Sequence, residues 1–153
     1  MLILKLCAVL GCGLIAGVFF AFSTFVMSAL AKLPSAQGIA AMQSINLTVI
    51  NPLFMGVFLG TSAVCVFLLV FSLLNLLQPG VIYWFIGSLL YLFGTFGVTI
   101  MFNVPLNDAL GKVEPGSTEG TSLWNSYLTN WTFWNHVRAI AALAATALFA
   151  IAN

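Results

Sequence analysis

Electrical charge is what this sequence lacks most. Its 153 residues include four Lys or Arg and three Asp or Glu, so that charged residues make up 5% of the chain. Soluble domains contain about 25% charged residues, and a mean hydropathy of +1.15 is far above theirs. The net charge of +1 provides no basic surface for nucleic acid. The composition therefore predicts an integral membrane protein and argues against a nucleic-acid partner.

Clustered metal ligands and catalytic motifs are missing as well. The three cysteines, Cys7, Cys12 and Cys65, lie inside apolar runs without a CxxC pair, and we expect them to be buried hydrophobic side chains. The single histidine cannot form a bis-histidine haem site, and with Asp108 it supplies at most two of the three or four protein ligands usual for zinc. The sequence has no Ser-His-Asp spacing and no glycine-rich phosphate loop. We therefore expect neither a metal site nor a bound cofactor.

Long apolar runs occupy most of the chain. Each of four runs is long enough to cross the hydrocarbon core of a bilayer, about 30 Å thick, as a helix. They cover residues of about 3–30, 51–77, 81–102 and 131–152. Gln78-Pro79-Gly80 is typical of a tight turn between the second and third runs. The pattern predicts an all-α protein with one domain over residues 1–153, an integral membrane four-helix bundle.

Small residues recur at helical spacing within these runs, which is typical of membrane helices that approach each other closely. This predicts close helix packing at one set of positions in each of the first three spans. They are Gly13, Gly17 and Ala21; Gly56 and Gly60; and Gly87, Gly94 and Gly97.

Two polar connections are predicted at one end of the bundle. Residues 35–46 indicate a short interfacial amphipathic helix, with Ser35 as its N-cap. Residues 105–130 indicate one longer polar loop with turns and one short helix. The excess of Lys and Arg on this side, at Lys32, Lys112 and Arg138, predicts by the positive-inside rule that the long loops are cytoplasmic.

Polar side chains of all four spans converge at this same end. Amides, the histidine and the arginine occur where the spans meet the long connections. Because polar groups at membrane depth are costly, they normally face the bundle interior or a cavity, and we predict a polar pocket here. Each of these residues also has an alternative interpretation, in which its role is purely structural. Arg138 could pair with Asp108 or Glu114 or extend to the headgroups, His136 could bridge helices, and the aromatic residues could form an interfacial belt.

Four segments of the chain resemble the anthrone-oxygenase-like family of small four-span membrane proteins, many of them bacterial. The two most specific are an Asn-x-Pro-x-Asn segment and a Trp-Asn-His-x-Arg segment. The four are AGVFFAFS at 16–23, MQSIN at 42–46, FNVPLN at 102–107 and WNHVR at 134–138. The resemblance implies a four-span protein of the bacterial plasma membrane. It also implies an oxygenase that oxidises an anthrone to an anthraquinone with molecular oxygen, without metal or flavin.

This chemistry suggests a role for each polar residue of the predicted pocket. An anthrone has acidic protons at its central carbon, so the site needs a base, donors for the enolate oxygen and a flat apolar slot. We hypothesise that His136 is the base, that Asn103, Asn107 and Arg138 stabilise the oxyanion, and that Trp131 and Trp134 stack on the rings. The predicted substrate-binding set is completed by Tyr127, Asn135, Gln43 and Asn46.

The expected partners are the lipid bilayer and a hydrophobic aromatic small molecule, anthrone-like or hydroquinone-like. A second copy of the chain and a larger membrane complex are further candidate partners. The alternative function is a non-catalytic membrane protein that binds a quinone, a lipid or a pigment, or that serves as an accessory subunit. Aromatic and small residues suit that function equally well, whereas the absence of repeated broken helices argues against a transporter.

Overall fold

The computed structural model of the protein describes residues 2–152, and the regular structure in this range is entirely helical. Four helices are long and apolar enough to cross a membrane, so the predicted four-helix membrane bundle is confirmed. A fifth, shorter helix, α2, lies between the first two. The helices are α1 (Leu2–Leu30), α2 (Ser35–Thr48), α3 (Pro52–Leu74), α4 (Val81–Leu110) and α5 (Thr118–Ile151).

The four long helices form a closed square in chain order. Both α1 and α4 pack against α3 and α5, so that α1 and α4 lie on one diagonal and α3 and α5 on the other. Side chains such as Ile15, Phe58, Tyr91 and Phe149 form the main core. A second core at the long-loop end joins α2 to the ends of α1, α4 and α5. The helix α2 therefore covers this end of the bundle.

Local capping explains where the helices begin. The Asn51 side chain accepts hydrogen bonds from the backbone N–H groups of Leu53 and Phe54, and Pro52 occupies the first turn of α3, where it loses no hydrogen bond. Gly80, with φ of 80°, makes the turn before α4, as the Gln78-Pro79-Gly80 segment predicts.

The prediction that Ser35 is an N-cap is wrong. Pro34 holds the cap position without a side-chain hydrogen bond, and Ser35 is the first residue of α2. The Ser35 hydroxyl instead lies 3.2 Å from the Thr121 hydroxyl of α5. Ser35 therefore joins α2 to the neighbouring helix.

The polar loop predicted for residues 105–130 is mostly helical. α4 continues through Pro105 to Leu110, and α5 starts at Thr118, so the connection is only residues 111–117. A π-helical turn, Thr99–Asn103, ends two residues before Pro105. The wider turn changes the hydrogen-bond ladder that a proline would otherwise break, and this explains why the helix continues. The start of α5 is stabilised by Ser117, whose hydroxyl accepts from the Gly120 N–H.

The glycine predictions divide by helix face. A Cβ atom added at Gly94 would lie 2.6 Å from the Cβ of Ala141, and one at Gly87 would lie 3.1 Å from the Phe149 ring, so close packing there is confirmed. At Gly17, Gly56 and Gly60 an added Cβ would meet nothing within 4 Å, and the predicted close packing is wrong. These three glycines are exposed on the surfaces of α1 and α3.

Replacing Gly94 by Ala should destabilise the bundle. The new methyl group overlaps the Cβ of Ala141, an atom tied to the backbone of α5, and such overpacking costs about 1–3 kcal/mol. The matched control is Gly56→Ala, because a Cβ atom at position 56 meets no other atom within 4 Å. This substitution should leave the free energy of unfolding unchanged or raise it by about 0.5–1 kcal/mol, since Ala favours a helix more than Gly does. Thermal unfolding of both variants in one detergent measures this. Equal unfolding temperatures would contradict the packing assignment.

Candidate functional site

The site is built around segments where two spans depart from the regular α-helix. Residues Phe22–Val26 of α1 are π-helical, as are Leu90–Gly97 and Thr99–Asn103 of α4. Wider turns of this kind are frequent at functional sites, because they shift the register of side chains and backbone groups. In this protein they flank the polar residues of α5.

Arg138 of α5 is the central charged group of this region. Its side chain is 5% exposed, and the guanidinium lies over the rings of Phe19, at 3.9 Å from the centroid, and Trp131, at 4.8 Å. Its Nε donates to Asn135 Oδ1 at 2.9 Å and its Nη1 to Thr99 Oγ1 at 3.3 Å. These partners are neutral, and an uncompensated buried cation is costly. An anionic ligand would therefore strongly stabilise the buried charge of Arg138.

Asn135 connects Arg138 to α1. Its Nδ2 donates to the Phe19 carbonyl oxygen at 2.8 Å and to the Ser23 hydroxyl at 2.7 Å, while its Oδ1 accepts from Arg138. On the other side, the Thr95 hydroxyl donates to the Arg138 carbonyl oxygen at 3.1 Å. A continuous polar layer thus crosses the bundle from α1 through α5 to α4.

Both amides of the Asn-x-Pro-x-Asn segment hold Trp131. Asn103 Nδ2 donates to the Trp131 carbonyl oxygen at 3.1 Å. Asn107 Oδ1 accepts from the Trp131 indole N–H at 2.7 Å and from the Tyr127 hydroxyl at 2.8 Å. The rings of Tyr127 and Trp131 stack with centroids 6.0 Å apart. The amides therefore set the position of an aromatic wall, while Asn103 Oδ1 is buried without a hydrogen-bond partner in the described residues.

A cavity of about 690 Å³ lies beside this layer at the long-loop end. It has contributions from all five helices and is lined mostly by apolar side chains with a few polar groups, as is usual for small-molecule sites of about 300–1,000 Å³. Five of the ten residues selected from the sequence line it together. They are Gln43, Asn46, Asn107, Trp131 and Arg138.

The other five residues lie outside this lining. Tyr127, Asn103 and Asn135 support the residues that face the cavity. Trp134 stacks on Phe102, with ring centroids 3.7 Å apart, and so belongs to an aromatic pair away from the cavity lining.

His136 lies on a different face of α5 from Arg138. Its side chain is exposed and lines a second, largely apolar groove of about 550 Å³ between α1 and α5, which we call the outer groove. Residues two apart on an α-helix differ by about 200° in direction. His136 therefore faces the outer groove, whereas Arg138 faces the cavity.

Several residues of the site were missed by the sequence reasoning. Thr95 and Thr99 belong to the polar layer, while Asp108 and Lys112 form an exposed charged edge of the cavity. A usable signal was present in α4. Polar residues recur every fourth position through an otherwise apolar run, which marks one helix face as facing the bundle interior. They are Thr95, Thr99, Asn103 and Asn107.

Comparison with protein families identifies the chain. A family model described as anthrone oxygenase matches residues 54–148, a range that includes most of α3, all of α4 and Arg138. The chain belongs to the anthrone oxygenase family. The comparison with curated proteins found no match, and the search of solved structures found none either. Membership of this family agrees with the resemblance seen in the sequence and with the four membrane-spanning helices.

Metal ligands are not clustered in the described part of the chain. Between residues 2 and 152, no group of three His, Cys, Asp or Glu side chains lies close enough to hold a metal ion. Cys12 and Cys65 are buried in the main core as expected, whereas the expectation that Cys7 is buried is wrong, because its side chain is exposed. We assign no residue as a metal ligand.

Proposed function

We propose that this protein is a membrane-embedded oxygenase that oxidises an anthrone-like or hydroquinone-like aromatic substrate with molecular oxygen and without a cofactor. The observation that carries the proposal is the buried Arg138, whose partners are neutral and which faces an aromatic-walled cavity in a member of the anthrone oxygenase family. A cation placed in this way favours a substrate that becomes an anion during the reaction.

Two donors are available for the oxygen of an enolate. The guanidinium of Arg138 supplies a charge-assisted donor inside a low-dielectric region, where such a bond is stronger than in water. Asn107 also lines the cavity, and because its Oδ1 is engaged by Tyr127 and Trp131, its Nδ2 is left to donate to a ligand. Trp131 and Phe22 present aromatic surface against which a flat ring system can pack.

The reaction balances without a separate reductant. Removal of a proton from the central CH₂ of the anthrone gives an enolate, which transfers electrons to O₂ and forms a carbon–oxygen bond at that carbon. Loss of water then leaves a C=O group. The carbon gives up four electrons, O₂ accepts all four, one oxygen atom stays in the quinone and the other leaves as water. The protein has to stabilise the enolate and accept the proton.

The proton acceptor is proposed from the residues that line the cavity. Asp108 is the carboxylate among them, and its side chain is exposed, so that a proton taken from the substrate can pass to water. The sequence-based candidate His136 lines the outer groove, and its role as the base would require the substrate to bind there. We propose Asp108 as the acceptor, with His136 as the competing assignment.

Oxygen uptake tests the proposed activity directly. Detergent-purified protein supplied with emodin anthrone should consume one O₂ per molecule and form the anthraquinone above the spontaneous rate, and prior treatment with a chelator should leave the rate unchanged. Uptake no faster than without protein would contradict the oxygenase. Tight emodin binding with no uptake would favour the alternative function, a non-catalytic membrane protein that binds quinone-like molecules. A rate lost on chelation and restored by a metal ion would contradict the cofactor-free reaction.

A further inference from the structure

We propose that the substrate enters the cavity sideways from the bilayer, through an opening between residues 47–50, where α2 ends and connects to α3, and residues 99–110 of α4. This inference rests on the proposed function, since it concerns access to the same cavity. We call this gap the bilayer opening and define its rim by four residues. They are Leu47, Ile50, Ile100 and Val104.

The gap follows from how α3 and α4 pack. Along most of its length α3 packs against α1 and against residues 81–97 of α4. Residues 99–110 of α4 pack instead against α5, and their last turns also against α2. The two helices therefore separate at the long-loop end, and the cavity occupies the space between them. The π-helical turn Thr99–Asn103 lies at the point of separation.

The rim of the opening is apolar and exposed. Leu47 is 76% exposed, Ile50 70% and Ile100 51%, although all three also line the cavity. In a bundle of membrane-spanning helices, apolar side chains exposed on the outer surface contact lipid. Further along α4 the edge of the cavity is charged, because Asp108 follows Val104 by one helical turn and Lys112 lies just beyond the end of the helix. The cavity thus has one edge suited to lipid and another suited to water.

An aromatic substrate of three fused rings suits the apolar edge. Such a molecule dissolves preferentially in the bilayer, and passage between Ile50 and Val104 keeps its rings in apolar surroundings throughout. Its oxygen then reaches Arg138, whereas entry past Asp108 and Lys112 would first require transfer into water. The quinone product, which is also apolar, can leave by the same route.

Binding rates of emodin in lipid nanodiscs test this inference. Trp131 lines the cavity, so quenching of tryptophan fluorescence in stopped flow reports on binding, and substitutions to Phe narrow a passage without adding a tryptophan. The double variant Ile100→Phe, Val104→Phe should slow both association and dissociation by about tenfold and leave Kd within about threefold of the wild-type value. A narrower route lowers both rates but changes the bound state little. Met101→Phe, exposed on α4 outside the cavity lining, is the matched control and should bind at the wild-type rates.

Two further variants make the outcomes decisive. Leu47→Phe narrows the opening from the α2 side and should also slow both rates, which preserves the test if the double variant does not fold. Gly111→Phe narrows the charged edge and should slow binding less than either. If only Gly111→Phe slowed binding, or if no variant did, the bilayer opening would be wrong. The proposed function would still stand in that case, provided that the wild-type protein oxidises emodin anthrone. Wild-type protein that neither binds emodin nor oxidises its anthrone would overturn both.

Discussion

Replacing Arg138 by Met should lower kcat/KM for emodin anthrone by about a hundredfold or more, because loss of one preorganised oxyanion donor typically costs about 10²–10³ in rate. Stability should change much less. Met removes a buried cation that has neutral partners, which offsets the two hydrogen bonds lost at Asn135 and Thr99. Oxygen uptake and thermal unfolding measured on the same sample separate the two effects.

The matched control for this variant is Lys32→Met. It removes the same charge at the same end of the bundle, from an exposed side chain outside the cavity lining, and should retain wild-type turnover. Arg138→Lys keeps the charge without the planar fork and should recover part of the activity. If Arg138→Met stayed active but unfolded at a much lower temperature, the arginine would be structural and its proposed role in oxyanion stabilisation would be wrong.

Asp108→Asn should lower kcat for emodin anthrone by about a hundredfold, because a positioned proton acceptor typically contributes about 10²–10⁴. The substitution preserves the shape of the side chain and removes its ability to accept a proton. His136→Ala should retain most of the activity, since that side chain lines the outer groove. Initial rates with both variants decide between the two proposed acceptors.

An isotope effect distinguishes a proton acceptor from a residue that only shapes the cavity. With emodin anthrone deuterated at the central carbon, Asp108→Asn should show a larger rate difference between the two isotopes than wild type, because proton removal becomes rate-limiting. Loss of turnover in His136→Ala with full activity in Asp108→Asn would support the sequence-based base instead. It would also move the substrate from the cavity to the outer groove.

The sequence correctly predicted the end of the bundle at which the site lies. It did not predict that the selected residues would lie on different faces of α5. Gln43, Asn46, Asn107, Trp131 and Arg138 were expected at one end, and they line one cavity there. The segment that joins Asn135, His136 and Arg138 led us to group all three. Helical geometry separates neighbours by about 100° each, so proximity in sequence places side chains on different faces.

The extension of α4 and α5 depended on contacts that no local pattern shows. Pro105 and the glycines of residues 111–120 indicated a loop, because a proline normally ends a helix. In the structure a π-helical turn precedes this proline, and Leu110 and Trp124 are buried in the second core with Ile39 of α2. Tertiary packing therefore stabilises helical turns that the local sequence does not favour.

By itself the sequence determined the class of protein, the four membrane spans, the end at which polar groups gather and the resemblance to the family. These follow from composition, length and polarity, which the bilayer constrains directly because charge and unpaired backbone groups are excluded from it. Only the tertiary structure decided which faces meet. Gly94 contacts Ala141 whereas Gly56 faces outward, and Arg138 faces the cavity whereas His136 does not. In lipid both faces of a helix are apolar, so the choice depends on packing between helices and not on the local pattern.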